Sequence, residues 1–543
     1  SGIALAIALG SAELYEVLLL PDWTPRLVVV LLLLGFPVAL LLAWAYEIKP
    51  EEPRKIEDEA KGDFETSGSE PMGSIAVLPF TNMSDDPEAE YFSDGMTEEI
   101  INALAQLEGL RVAASTSSFS FKGKAPEIAE VGAKLKVETI LEGSVRKAGG
   151  RLRITAQLVK VTDGFHLWSE RYDRQLEDVF AVQDEIARAI ADRLKVSLAV
   201  GGDEPLVKPP TGSLEAYDLY LKGRFFVTQG GDGTRVALDY FQQALACDPE
   251  YALAHAGVAE AYAWFAGTGI VRPKEVLPKA REAAMRALEL DETLAESHLQ
   301  MGLVAWTLDF DWTNAERRFL RALELDPELP QLHSLHGFFL ASVGRIDESL
   351  FELKRGVELD PLSQIAHIWL GQVLAWLERF SEAIDRLQSA RELDPTSWNA
   401  NHILGMAYRL AGDHPKAMEA FRDAMASAGR HPWSLMELAL ALMATGSEGQ
   451  AEAIYDELAA RWRGDYVPPS TLSFVSATLG RTDEAFEWLD RAIEEHDSLM
   501  TWINLLPHFD PLRGDSRFPV LVERVGLDPA ASRHGQSNDQ FHL

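Results

Sequence analysis

Several residue groupings in this sequence have the side-chain types to do chemistry. Asp85, Asp86, Glu88 and Glu90 supply oxygen donors of the kind a divalent cation takes. Their spacing matches no calcium loop, so a solvated loop and helix start is expected. Lys122-Gly123-Lys124 places two ammonium groups around a glycine but lacks the Gly-x-x-x-x-Gly-Lys spacing of a phosphate loop. His255, His298, His333 and His367 recur in register. Equivalent residues of stacked helices lie roughly 8–10 Å apart, too far to share one ion at about 2.1 Å, so they read as packing groups. His166 and Trp168 on one strand face read the same way. The single cysteine, Cys247, excludes an intramolecular disulfide framework and any multi-cysteine metal cluster. No nucleophile–base arrangement, dinucleotide fingerprint or zinc motif is present. A catalytic site, a cofactor and a metal are therefore not expected, and the chain reads as a non-enzyme.

The chain has 543 residues, with 50 Lys plus Arg against 84 Asp plus Glu and a net charge of −34. That balance argues against nucleic acid as a partner, because binding a phosphate backbone relies on Lys and Arg. It would also be repelled by an anionic bilayer surface, so membrane attachment has to be hydrophobic. Residues 27–46 (LVVVLLLLGFPVALLLAWAY) offer such an attachment, twenty residues without a charge, about the length that crosses a ~30 Å hydrocarbon layer. Trp23, Trp44 and Tyr46 stand where aromatic belts form. Residues 2–20 are apolar apart from Glu13 and Glu16, and Pro21-Asp22-Trp23-Thr24-Pro25 makes a turn between the two stretches. Residues 1–50 are read as a transmembrane helical hairpin, the alternative for the first arm being an amphipathic helix lying in the interface. Ser1 is not an initiator methionine, which leaves open further residues, and another domain, upstream. Lys49, Arg54, Lys55 and Lys61 follow the anchor whereas the turn holds only Arg26, an asymmetry that places the long soluble part in the cytoplasm.

Residues 51–72 have linker composition. The order after them is strand (74–80), helix (89–107), strand (110–114), helix (125–135), three strands (139–146, 151–161, 165–172) and a helix (179–198). In the middle strand Leu152, Ile154, Ala156 and Leu158 alternate with Arg151, Arg153, Thr155 and Gln157, the period of a sheet with one face buried. This stretch, residues 73–200, resembles the TolB amino-terminal-domain-like family related to FlgO. The resemblance rests on Ser74-Ile-Ala-Val-Leu-Pro-Phe80, Asn82-Met-Ser-Asp-Asp-Pro87, Tyr91-Phe-Ser-Asp-Gly-Met-Thr-Glu98, Glu142-Gly-Ser-Val-Arg146 and Phe180-Ala-Val-Gln-Asp-Glu-Ile186. It implies a partner-binding or assembly module of bacterial membrane-tethered proteins, at the inner (cytoplasmic) membrane, with no established chemistry.

Residues 201–212 form a second linker. From 213 to 528 the sequence repeats with a ~34-residue period, the signature of stacked helical hairpins. Gly302, Ala315, Phe319, Ala322 and Pro327 mark one repeat, and Leu404, Gly405, Tyr408, Ala417, Phe421 and Ala424 another. The pattern resembles tetratricopeptide repeats, about eight of them. Residues 499–527 form a terminal cap within the array, and 529–543 a disordered tail. The fold class is thus multidomain: an N-terminal transmembrane helical hairpin, a small α/β domain and an all-α tetratricopeptide solenoid. By that resemblance the first helix of each repeat lines a concave groove, with Glu260, Trp264, Trp306, Phe338, Gln372, Trp376, Met406 and Arg409 facing inward to capture a peptide or partner helix. The alternative is that these side chains pack within the solenoid or against the α/β domain. The function read from this is a membrane-anchored scaffold that recruits a protein partner. A structural subunit of a larger membrane complex and the regulatory part of a signalling protein with an upstream effector are the competing readings.

The orientation is testable with Asp22→Cys. In intact spheroplasts this thiol is expected to react with a membrane-impermeant maleimide while Cys247 stays shielded; the reverse pattern would put the repeats outside the cytoplasm.

Overall fold

The computed structural model describes residues 73–86, 89–107, 109–124, 126–148, 150–194, 209–227 and 231–530. The chain divides into two compact units, 1–68 and 69–543, and the described residues all belong to the second. The expected hairpin anchor, the first linker and the terminal tail from 531 lie outside them. Among the described residues no helix is long and apolar enough to cross a membrane.

The α/β domain runs β1 (Gly73–Val77), β2 (Thr81–Asn82), α1 (Glu90–Ala105), β3 (Leu110–Val112), α2 (Ser115–Phe119), α3 (Ile128–Leu135), β4 (Thr139–Ala148), β5 (Arg151–Lys160), β6 (His166–Gln175) and α4 (Val179–Leu194). The sheet order is β3-β1-β4-β5-β6, with β2 pairing β4. β1 is parallel to β3 and β4, and β4, β5 and β6 form an antiparallel meander. Parallel pairing needs crossovers, and the helical segments after β1 and β3 provide them. Alternation assigns the faces: Ile75, Val77 and Leu141 pack with Leu152, Ile154, Ala156 and Leu158 beneath α1 and α4, whereas Ala76 and Ile140 pack against Val131 and Leu135 of α3.

The expected strand 74–80 ends at Val77, because Pro79 cannot donate to a ladder, and the chain resumes as the short β2. The five-residue helix α2 was not anticipated, since its sequence STSSF carries no helical period. His166 corrects the packing expectation: it is exposed, while Trp168 is buried. A register shift at Leu158/Val159 sets His166 opposite Val159 at the end of the sheet.

Eight helical hairpins follow among the described residues. They are α5/α6 (Leu214–Val227, Asp232–Cys247), α7/α8 (Ala252–Ala266, Pro273–Leu290), α9/α10 (Ala295–Thr307, Trp312–Leu325), α11/α12 (Pro330–Ser342, Ile346–Leu359), α13/α14 (Gln364–Trp376, Phe380–Leu393), α15/α16 (Trp398–Leu410, His414–Ala428), α17/α18 (Pro432–Ala444, Glu448–Arg461) and α19/α20 (Pro469–Thr478, Thr482–Glu494). Two short 3₁₀ turns, Ser498–Trp502 and Pro507–Phe509, and α21 (Phe518–Arg524) close the described chain.

Within a hairpin the two helices meet where a glycine of the first faces a large residue of the second. A Cβ on Gly223 would stand 2.4 Å from Phe241, one on Gly337 2.7 Å from Leu353, one on Gly371 2.7 Å from Leu387, and one on Gly405 2.4 Å from Phe421. The missing methyl lets each ring or isobutyl group seat against backbone, and Ala237, Ala315, Ala383 and Ala417 complete the contact with no exposed surface.

These contacts predict opposite outcomes for one kind of substitution. Gly405→Ala gains about 1 kcal/mol of helix propensity but drives a methyl into Phe421, so a net loss of about 1–3 kcal/mol is expected in urea unfolding. Gly449→Ala, in a helix with open space around it, should instead stabilise by up to about 1 kcal/mol.

Candidate functional site: a chamber inside the repeat array

The concave side of the array and one edge of the α/β domain enclose a cavity of about 2050 Å³. Two attachments hold the α/β domain there. The first is an apolar weld to the opening hairpin. Gly95 of α1 lies on Leu221, where a Cβ would come within 2.6 Å. Tyr91 donates to Asp218 at 2.7 Å, Lys147 pairs with the same carboxylate at 2.7 Å, and Gln183 donates to the Tyr217 hydroxyl at 3.0 Å. The second attachment is local. The Ser117 hydroxyl in α2 donates to the Asp360 carboxylate and accepts from the Leu362 amide at 2.9 Å, in the turn joining α12 to α13. Leu362 inserts among the apolar residues beneath α3. Burial pushes the Asp360 carboxyl above its ordinary range, and donors from Ser117, Thr116 and Ser363 pull it back.

Seven of the eight residues expected in the groove line this chamber: Glu260, Trp264, Trp306, Phe338, Gln372, Trp376 and Met406. Their environments differ sharply. Trp264 is 40% exposed, whereas Trp306, Phe338, Trp376 and Met406 are buried. The three buried rings enclose Trp502, from the first 3₁₀ turn after the last repeat, with centroid separations of 5.3 Å to Trp306, 5.7 Å to Phe338 and 5.6 Å to Trp376. The chain's own terminal segment thus fills the aromatic wall. Trp312 donates its indole N–H to the Val525 carbonyl at 2.9 Å, so the segment reaches as far as the third hairpin.

The charged members are engaged within the chain. Glu260 accepts from Arg224 at 3.1 Å, and Arg224 lies 3.5 Å from Glu98 of α1. Arg409, the one candidate that does not line the chamber, bonds Glu437, while His508 Nε2 lies 2.6 Å from Glu437 and 3.0 Å from the Arg409 guanidinium. Burial alone would raise the Glu437 carboxyl; Arg409 and His508 overcome it and hold the group far below the usual range. On the α/β side, burial lifts Asp94 to about 6 against the opposing pull of Lys122, which also pairs with Glu90 at 3.0 Å. In the acidic run, Asp85 pairs with Arg146 at 3.3 Å.

The apolar groups that remain open in the chamber are Trp264, Ile270, Ile365 and Leu393, each 38–53% exposed. Sequence reasoning found only Trp264 among these; the other three sit at helix ends and in a turn, where no repeat position marks them. The four in-register histidines perform a local task. His255, His298, His333 and His367 each donate Nε2–H to the carbonyl six residues earlier, at 3.0, 3.1, 2.8 and 3.0 Å, closing the turn between repeats. Asn401 makes the same bond to Pro395 at 3.0 Å. That substitution of Asn for His at one register position was the available signal, because an amide nitrogen and an imidazole N–H share donor capacity. Among the described residues no group of three or more His, Cys, Asp or Glu is arranged to hold a metal ion.

Comparison with known proteins gives partial likenesses. A tetratricopeptide-repeat family model matches residues 340–397 and 377–432. The model described as HilA/YgeH-like transcriptional regulator, second domain, matches residues 71–189. The chain is 39% identical over 271 residues to putative adenylate cyclase 3 of Rhizobium meliloti (strain 1021), covering 49% of this chain and 45% of that protein. It is 23% identical over 282 residues to the transcriptional regulator HilA of Salmonella typhimurium, covering 51% and 49%. The chain therefore spans about half the length of the curated relatives it matches. Similar solved structures include YrrB, a TPR protein with an unusual peptide-binding site (24% identity, TM-score 0.25, covering 36% of this chain and 95% of that one), and the human IFIT1 dimer with m7Gppp-AAAA (19%, TM-score 0.40, 58% and 77%). Tetratricopeptide repeats are thus matched at residues 340–432, within an all-α array of helical hairpins that follows a small α/β module.

Glu437→Gln removes the charge that compensates Arg409 beside His508, and a loss of about 3–5 kcal/mol is expected. The sign with pH follows from the lowered carboxyl. Wild-type protein keeps this contribution above the ordinary Glu value of about 4.3 and loses it as pH falls through the lower native value. Urea unfolding from pH 7 to pH 3 should show a shallower decline for Glu437→Gln.

Proposed function

We propose that the protein is a non-enzymatic, membrane-anchored scaffold whose chamber receives an extended segment of a protein partner. The observation that carries this reading is the division of labour on and just behind the chamber wall. The ionic groups Arg224, Glu260, Arg409 and Glu437 are satisfied inside the chain. Trp264, Ile270, Ile365 and Leu393 keep apolar surface in contact with water. Covering that surface is the favourable step available to a ligand, at about 25 cal/mol per Å² removed from water. Tetratricopeptide repeats are consistent with a protein-interaction role, and about 2050 Å³ accommodates a peptide segment.

In this reading residues 1–50 supply the anchor at a bacterial inner membrane and the soluble part faces the cytoplasm. The TolB amino-terminal-like resemblance of residues 73–200 makes the α/β module an assembly element. A second reading is favoured by the relatives' names: a putative adenylate cyclase and a transcriptional regulator each match about half of this chain and are about twice as long as the matched part. In that case the chamber serves as the regulatory portion for an effector carried upstream. A stable structural subunit of a membrane complex is the third possibility, and one fixed stoichiometry surviving mild detergent would favour it.

The test must avoid Trp306, Phe338 and Trp376, whose truncation would open the core. Trp264→Ser with Ile365→Ser is expected to abolish partner recovery from native membranes, read by quantitative mass spectrometry, with helicity and the unfolding midpoint little changed. Full recovery with both residues replaced would remove the chamber as the capture surface.

A further inference from the structure

The turn between the two helices of the second repeat is longer than its counterparts. Residues 267–272 separate α7 from α8, whereas 343–345, 377–379, 411–413 and 445–447 serve in the fourth to seventh hairpins. Inside their own repeat, Val271 packs against the cluster of Ala263, Ala266 and Leu277, and Thr268 donates to the Phe265 carbonyl at 2.7 Å. The turn lines the chamber and also reaches the seventh and eighth repeats. The Thr268 carbonyl accepts from His431 Nε2 at 2.9 Å, and Arg272 pairs with Glu495 at 2.9 Å, joined there by Lys274 at 2.5 Å. The Arg272 guanidinium also lies 5.2 Å from the ring centres of both Trp462 and Tyr466. Gly269 seats on Trp433, where a Cβ would come within 2.7 Å, and it holds φ +69°, a conformation that side chains disfavour.

The two sides joined by this turn belong to different cores. One apolar core runs from the sheet through the first two hairpins, and another from the third hairpin to Val525. Only a small cluster around Leu277, Ala280 and Val304 lies between them. Between this turn and the seventh and eighth repeats, the contacts named above are hydrogen bonds, ion pairs, cation–ring contacts and the seat of Gly269 on Trp433. Such contacts exchange with water at low net cost, so they suit an element that opens and recloses. Ile270, carried on the turn itself, is 53% exposed and lines the chamber, an apolar group that a bound ligand would cover on closure.

We propose that residues 267–274 are a strap that closes the chamber against the seventh and eighth repeats and must release to admit the partner segment. The inference rests on the chamber being the binding site, but its test needs no partner, so the two can fail separately. In a Cys247→Ser background, Ile365→Cys places a thiol on the chamber wall. Its reaction rate is read with N-ethylmaleimide and with a bulky polyethylene-glycol maleimide, using the full chain. Releasing the strap by Arg272→Gln with Lys274→Gln, or independently by Gly269→Ala, is expected to raise the bulky reagent's rate about tenfold or more while the small reagent's rate holds, the tenfold corresponding to a shift of one decade in the open fraction. High salt should act in the same direction on the parent through screening of the Glu495 pairs. Equal bulky-reagent rates in the parent and in both strap variants, each retaining its helical circular dichroism, would overturn the proposal.

Discussion

The contact on which the rest of this structure depends is the seating of a large side chain from one helix directly on the backbone of its partner. Glycines at 223, 337, 371 and 405 make room for Phe241, Leu353, Leu387 and Phe421. Close approach fixes the angle within each hairpin, and repetition of the angle curves the array. Curvature in turn brings the first helices of the repeats to a common interior and creates the chamber. In the first, fourth, fifth and sixth repeats, each step follows from the volume of a methyl group withheld at one position.

The interior shows how an acidic chain manages charge. Burying an ion without a partner costs several kcal/mol, and two compact solutions stand at and behind the chamber wall. Arg224 lies between Glu98 and Glu260, while Arg409, His508 and Glu437 form a triad drawn from the sixth repeat, the terminal segment and the seventh repeat. Each ties together elements remote in sequence. What these clusters leave for an incoming molecule is apolar area, an arrangement that favours shape and hydrophobic match over ionic steering.

Much of the architecture was legible because it is local. The alternation of Leu152, Ile154, Ala156 and Leu158 gave the buried face of β5, and the small-then-large spacing gave the hairpins. The inward set is only what the tetratricopeptide resemblance implies, and seven of its eight residues line one interior, four of them buried. What stayed hidden is non-local. Nothing near Trp502 announces that it will be enclosed by Trp306, Phe338 and Trp376, since the pairing spans roughly half the array. The strand 74–80 broke at Pro79 and restarted, and α2 formed from a serine run because Asp360 and the Leu362 amide give its Ser117 a partner. The histidines were visible as a register but not as turn closures, because the acceptor is a backbone carbonyl.

In a simple solenoid each unit touches only its neighbours, so units can be added or lost with little consequence. Here Trp312 is bonded to Val525, and Trp502 is packed among Trp306, Phe338 and Trp376. Those contacts of the terminal segment turn an open-ended stack into something like a barrel whose stave count is set: one extra hairpin would rotate the final segment past its seat, and one fewer would leave it short. Evolution of this chain is therefore expected to vary loops and surface freely while holding the number of hairpins constant, and its unfolding should be a single concerted event rather than fraying from either end.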